Sequence, residues 1–213
     1  LAEANDTNAN AGDSTADATP SVDPTAAHYV AIGANIGQAA TDADNLALLN
    51  DIVGASQATD VDTVAKLNDL ARIANAIQAT AAGQTPSPSL TLADFAKAGI
   101  AGLTAQNLTA IKAAIAAKNA NGSETDTLAK VQTVVDLTIA DINSALAAIS
   151  VAAESNTAGS FTPAHYAAAG VTGVDSTNVT AINHALNSGT PGAAASAPGI
   201  GGTEADTTAK VQA

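Results

Sequence analysis

The chain has 213 residues, 46% of them hydrophobic, yet it holds only two Phe, two Tyr and no Trp, Met or Cys. Fifty-five residues are Ala, so methyl groups make up much of the apolar share, and Leu, Ile and Val are the only large core formers. The missing Cys rule out a disulfide framework and a thiol nucleophile. A formal charge of −13 with so few rings disfavours nucleic acid, and the lack of an unbroken apolar run of ~18 residues argues against membrane insertion.

Residues 1–24 read as the end of a helix followed by a flexible linker, since Asn5 to Pro24 is rich in Asn, Asp, Ser, Thr, Ala and Gly. Thr25-Ala-Ala-His-Tyr-Val-Ala-Ile-Gly33 then carries the marks of a short helix, with Thr as N-cap and Gly as a left-handed C-cap. Past it, Asn45 introduces Leu46, Leu49 and Val53, a stripe at i, i+3, i+7 on one face of a second helix. A third helix is predicted from Thr59-Asp-Val-Asp-Thr-Val-Ala-Lys66, with Thr59 as the cap and Asp62 reaching back to it in a capping box. Residues 25–83 thus make a first three-helix bundle, and the Pro/Ser stretch 84–90 a linker.

The same three blocks come round twice more. Thr91-Leu-Ala-Asp-Phe-Ala-Lys-Ala-Gly99 and Thr162-Pro-Ala-His-Tyr-Ala-Ala-Ala-Gly170 match the first helix position for position, with Phe95 and Tyr166 where Tyr29 stands. Asn107 with Leu108, Ile111 and Ile115, and Asn178 with Val179, Ile182 and Leu186, repeat the stripe. Ser123-Glu-Thr-Asp-Thr-Leu-Ala-Lys130 and Thr203-Glu-Ala-Asp-Thr-Thr-Ala-Lys210 repeat the third start, with Asp126 and Asp206 as the acids. In the second copy Leu128, Val131, Val135, Ile139, Ile142, Leu146 and Ile149 alternate steps of three and four. They define one long helix out to Glu154, whose far end is expected to link one bundle to the next. The second bundle is then 91–155 and the third 156–213, interrupted by a Gly/Ala/Pro loop from Ser188 to Gly202. The predicted fold is all-α: three tandem small three-helix bundles, with almost no strand.

This order of short helix, Gly turn, middle helix and capped third helix looks like the albumin-binding GA-type module of bacterial surface proteins. It looks equally like the three-helix repeats of giant bacterial surface adhesins and extracellular fibres. The likeness covers about 45 residues of each copy and rests on caps and apolar spacing. It implies a bundle fold at the cell surface. Albumin binding is not carried over, because no contact surface matches residue by residue.

Leu1 is no translation start, so the chain reads as a processed product or a piece of something longer. It closes on Lys210-Val-Gln-Ala213, three residues past the Lys that opens the last third helix. Set after Ala213, Leu1 falls where Val134 and Leu70 stand in the other copies. The expectation is that the third bundle is incomplete and is completed by residues 1–5 of the next unit. The subunit junction would then hold Leu1, Ala2, Thr208, Val211 and Ala213. Both a covalent continuation and a separate subunit fit.

Candidate sites are few. His28 and His165 share a repeat position with Asp94, which reads as a solvated polar position; His184 has no acid or Cys partner at ligand spacing. No Ser/His/acid order, phosphate-binding Gly loop or HExxH helix occurs, so neither an enzyme nor a cofactor is expected. Ten acids from Glu3 to Asp62 precede the first base, Lys66. Among them Asp42, Asp44, Asp60 and Asp62 are the candidate ligands for a structural calcium ion, although the calcium-loop pattern with its central Gly and final Glu is missing. An acidic surface that keeps crowded copies soluble is the simpler account, and no metal site is assigned. Sequons stand at Asn5, Asn107, Asn121 and Asn178, of which Asn107 and Asn178 open helices.

The expected function is that of a structural or adhesive repeat unit in an extracellular bacterial filament or giant surface protein, associating head to tail with copies of itself. The alternative is a GA-like surface module that binds a host or matrix protein.

Overall fold

The computed structural model describes residues 23–118, 122–155, 157–187 and Val211. Among these residues eight α-helices with described bounds succeed one another: α1 (Ala26–Ala31), α2 (Ala43–Ala55), α3 (Val64–Ala81), α4 (Leu92–Lys97), α5 (Leu108–Ala116), α6 (Leu128–Glu154), α7 (Pro163–Ala168) and α8 (Val179–Asn187). Single 3-10 turns cover Gly37–Ala40, Ala58–Asp60 and Ala158–Ser160, and no strand occurs among the described residues. The chain is all-α, as its caps and apolar spacing require.

α1, α4 and α7 are six residues each, too short to persist alone. Both ends are therefore fixed. Thr25, Thr91 and Thr162 have extended backbone and precede the first turn as N-caps. At the other end Gly33, Gly99 and Gly170 take φ of 83°, 79° and 75°. That left-handed turn lets the amides of Ala34, Ile100 and Val171 reach back 2.9 Å to the carbonyls of Tyr29, Phe95 and Tyr166.

The third-helix start departs from expectation. Thr59 is not the cap of α3: the N-cap lies four residues later, with Thr63 Oγ1 accepting the Lys66 amide at 3.3 Å, and Thr127 does the same for Lys130. Asp62 and Asp126 do not reach back to a cap residue but pair with Lys66 and Lys130 one turn ahead, at 2.7 and 2.6 Å. The same ammonium groups donate to the carbonyls of Thr59 and Ser123, at 2.6 and 2.9 Å. Each Lys thus folds the preceding loop onto the helix start, and this moves the cap. The third copy of this block, through Lys210, lies outside the described residues.

Two compact units result. The first runs to Thr104 and resumes over Ile111–Val135; the second takes Ala105–Ala110 and the chain from Asp136 on. In the first, Tyr29, Leu48, Leu49, Ile52, Ile73 and Ile77 are buried from α1, α2 and α3, while Phe95, Ile111, Ile115, Val131 and Val135 are buried from α4, α5 and the start of α6. In the second, Ile142, Leu146, Ile149, Ala152 and Ala153 of α6 form one cluster with Ala158, Tyr166, Ala169, Val171 and Leu186. The predicted stripe of α6 therefore changes its destination part-way, serving the first unit up to Val135 and the second from Ile142.

By length and composition α6 would suffice to cross a bilayer, with an 18-residue window of mean hydropathy 1.6. The expected absence of an unbroken apolar run still holds; only the mean over the window is high. The window escapes notice because Asp136 and Asp141, both exposed, break the apolar run without lowering its mean far.

The deepest polar contact recurs between copies. Tyr29 Oη donates to Asn50 Oδ1 at 2.8 Å, and Asn50 Nδ2 donates to the Pro24 carbonyl at 2.9 Å. In the third copy Tyr166 Oη donates to Asn183 Oδ1 at 2.6 Å, and Asn183 Nδ2 to the Phe161 carbonyl at 2.8 Å. The second copy changes both partners together. Phe95 has no hydroxyl, Lys112 stands where Asn is expected, and its ammonium lies 3.5 Å from the equivalent Leu90 carbonyl and 2.8 Å from Ser89 Oγ. Burial raises both tyrosines, Tyr166 to about 12. Each remains a neutral donor through the physiological range. Removing the hydroxyl by Tyr166→Phe strands a buried Asn oxygen and should cost about 1–2 kcal/mol in thermal or urea unfolding. Adding Asn183→Lys recreates the pairing of the second copy and should recover part of that loss in a double-mutant cycle.

Candidate functional site

The candidate residues sit at loop and helix ends, so their local roles come first. Asp42 is the N-cap of α2: its Oδ1 accepts the amides of Asp44 and Asn45, both at 3.0 Å. Asp44 lies in the first turn beside Asp126; its carboxyl is raised, first by burial and then by Asp126 and Asp42. Asp62 is occupied by Lys66, and Asp60 ends the 3-10 turn ahead of α3. Asp42 and Asp44 stand at the start of α2 and Asp60 and Asp62 past its end. Its 13 residues separate the two pairs by roughly 20 Å of helix. The four calcium candidates are not brought together, and no group of three His, Cys, Asp or Glu able to hold a metal occurs among the described residues.

The histidines have a role that a solvated position does not convey. His28 Nδ1 and His165 Nδ1 accept the backbone N–H of Thr25 and Thr162, at 3.2 and 3.1 Å. Asp94 Oδ2 accepts the Thr91 amide at 2.8 Å and its hydroxyl at 2.7 Å. His and Asp alternate at this position because each offers one acceptor to the cap residue, closing a capping box on a six-residue helix.

Asp94 has a second partner. Arg72 of α3 binds it through Nη2 and binds Asp69 through Nε at 3.0 Å, while Lys97 reaches Asp69 at 2.5 Å. These ion pairs tie α4 to α3. The Asp94 carboxyl is desolvated, which raises it, but hydrogen bonds from Thr91 and Arg72 outweigh that and hold it below the usual 3.8.

A polar concavity of the first unit, about 210 Å³, is lined by Gln38, Asp42, Asn45, Asn75, Gln78 and Gln84 among others. Its amides are spent on the fold. Asn75 Nδ2 donates to the Ile36 carbonyl at 2.9 Å, and its Oδ1 accepts from Asn45 Nδ2 at 2.7 Å. Gln78 Nε2 donates to the Thr125 carbonyl at 2.9 Å, and its Oε1 accepts the Thr125 hydroxyl at 3.1 Å. The second unit instead offers an apolar groove lined by Ala147, Ala148, Val151, Ala152 and Phe161, with Val151 65% exposed.

Of the junction residues, Leu1, Ala2, Thr208 and Ala213 lie outside the described residues. Val211 is helical, half-buried and packed against the core of the second unit. It occupies the repeat position of Leu67 and Val131, which are 3% and 0% exposed. Neither the Tyr–Asn clamp nor the Arg72 cluster is among the expected sites, although the paired exchange of Tyr/Asn for Phe/Lys at constant offset is a readable signal of the clamp.

Comparison with protein-family models, with curated proteins and with solved structures finds no match. The packing is therefore the ground on which function is assigned.

Two outcomes are expected from the caps. His165→Ala should lower unfolding stability by about 0.5–1 kcal/mol, whereas His165→Asp should be close to neutral. Because the Asp94 carboxyl is depressed in the folded state, its contribution is full above the unfolded value near 3.8 and is lost as pH falls through the folded one. Asp94→Asn should thus lower stability at neutral pH and flatten the acid limb of a melting-temperature profile below about pH 4.

Proposed function

We propose that this chain is a structural repeat unit of an extracellular bacterial filament or giant surface protein, non-catalytic and free of cofactor, whose copies associate head to tail. The observation that carries this reading is α6: one continuous helix gives Val131 and Val135 to one core and Ile142, Leu146 and Ile149 to the next. Sharing a helix between successive cores is how repeat proteins stabilise units too small to stand alone. Under this reading the three homologous blocks are three bundles, each lending its third helix to its successor. The surface and extracellular part of the reading comes from the likeness to surface-protein repeats. The acidic excess suits it, since like-charged copies remain soluble when crowded.

Head-to-tail contact is supported by the third copy. Leu49 and Ile111 are fully buried, while their counterpart Ile182 is half-buried. In the first two copies Leu70 and Val134 of the third helix, 4% and 6% exposed, belong to the same unit. We assign the covering role on Ile182 to a helix of a neighbouring copy. We also place α6 in water, since its buried positions serve the two cores.

The second reading, a surface module that holds a host or matrix protein, is favoured by the groove around Val151 and Phe161. Sedimentation velocity over a wide concentration range separates the two, and negative-stain imaging of the same samples supports it. The array reading expects reversible growth beyond 20.6 kDa and end-to-end particles. A strict monomer at every concentration sinks it and leaves the binding module. Flotation with neutral and anionic vesicles should leave the chain in the aqueous fraction; co-flotation would overturn the aqueous placement of α6.

A further inference from the structure

One peptide plane ahead of each first helix is held at both of its polar ends, and the chemistry of the grip differs between copies. In the first copy the carbonyl of Pro24 accepts Asn50 Nδ2 at 2.9 Å, and the N–H of the same peptide, that of Thr25, donates to His28 Nδ1 at 3.2 Å. In the third, the Phe161 carbonyl accepts Asn183 Nδ2 at 2.8 Å while the Thr162 N–H donates to His165 Nδ1 at 3.1 Å. The second copy uses charged groups for both ends: Lys112 Nζ lies 3.5 Å from the Leu90 carbonyl, and the Thr91 N–H donates to Asp94 Oδ2 at 2.8 Å.

The two kinds of grip answer acid differently. A backbone N–H can only donate, so the bond to His28 or His165 requires a lone pair on Nδ1 and leaves the ring proton on Nε2. Imidazole ordinarily takes a second proton between about pH 5 and 8, and in these rings the vacant position is Nδ1 itself. The Thr162 hydroxyl, 2.8 Å from His165 Nδ1, can reverse its role and accept from the protonated ring; the amide cannot. Burial raises the Asp94 carboxyl, but hydrogen bonds from Thr91 and Arg72 outweigh it and keep it below 3.8, so this acceptor persists where imidazole titrates.

The surroundings leave the two rings to respond by themselves. The 3-10 turn packed on α1, Gly37–Ala40, has no titratable residue. Asp23 precedes the helix, and α2 and α3 of the same core carry Asp44, Asp51, Lys66, Asp69 and Arg72. Around α7 the titratable groups are Asp136, Asp141 and Glu154 of α6 and His184 of α8, with none on Ala158–Ser160. Among the described residues neither His28 nor His165 forms an ion pair with any of them.

We propose that His28 and His165 make the entries of α1 and α7 proton-operated catches, released by mild acidification, while Asp94 keeps the entry of α4 closed. On protonation the entry peptide loses its grip at the N–H and is held by its carbonyl alone, free to turn about the bond from Asn50 or Asn183. Tyr29 and Tyr166 stay buried, so the first turn loosens and the cores remain. The catch works within one chain and is independent of any association between copies.

Amide and imidazole NMR of the whole chain from about pH 8 to 5 tests this. The Thr25 and Thr162 amides should shift in step with the rings of His28 and His165. Their protection from solvent exchange, corrected for the intrinsic effect of pH, should fall about threefold or more. Thr91 should hold its position throughout, and titration of His184 should move none of the three. In the double variant His28→Asp/His165→Asp the catches should stay closed, so the wild-type fall in melting temperature between about pH 7.5 and 5.5 should exceed the variant's by about 2 °C or more. Thr25 and Thr162 amides that stay in place while the rings titrate overturn the proposal, as do rings that take no proton down to about pH 5. An equal fall in melting temperature for wild type and variant overturns it too. The wild-type titration decides the matter without any variant.

Discussion

A six-residue helix makes too few internal hydrogen bonds to offset the ordering of its backbone. Much of this protein's structure depends on the need to hold three such helices in place. Each is closed at its start by an acceptor at the fourth residue of the Thr block, turned at its end by a left-handed Gly, and anchored by one buried ring. In two copies the ring itself is pinned through Asn to the carbonyl that precedes the cap. Ring, middle helix and chain entry are therefore one cooperative element. This explains why an aromatic survives at that place in a chain with so few.

The rest of the packing is thin, and the thinness has a purpose. Ala at close contacts lets helices approach with little side-chain entropy to lose, while Leu, Ile and Val recur only where a stripe meets a core. Small cores of this kind gain most by sharing elements with neighbours. α6 does this within the chain, its start serving one core and its later turns the other.

How much of this is legible in the sequence depends on whether a feature is local. The caps, Gly turns, apolar stripes and the 27-residue span of α6 are readable because each depends on residues a turn or two apart. The start of α3 is misplaced by such a reading because Thr59 and Thr63 are both competent caps. Lys66 decides between them by bonding a carbonyl seven residues back, and a local rule does not weigh that contact. The role of His28 and His165 is hidden for a related reason. Exchange with Asp looks like indifference to chemistry, whereas both residues supply one acceptor to the same amide. Arg72 meeting Asp94 across 22 residues requires three dimensions.

The double membership of α6 also bears on how the protein would carry load. Tension applied to a chain whose cores are joined by a loop first straightens the loop and spends no hydrogen bonds. Here the connection is a 27-residue helix. Stretching it from ~1.5 Å to ~3.5 Å per residue breaks its backbone bonds in series. Only the six residues between Val135 and Ile142 lie outside both cores, so the helix yields roughly 12 Å there before a further pull draws on residues packed in either core.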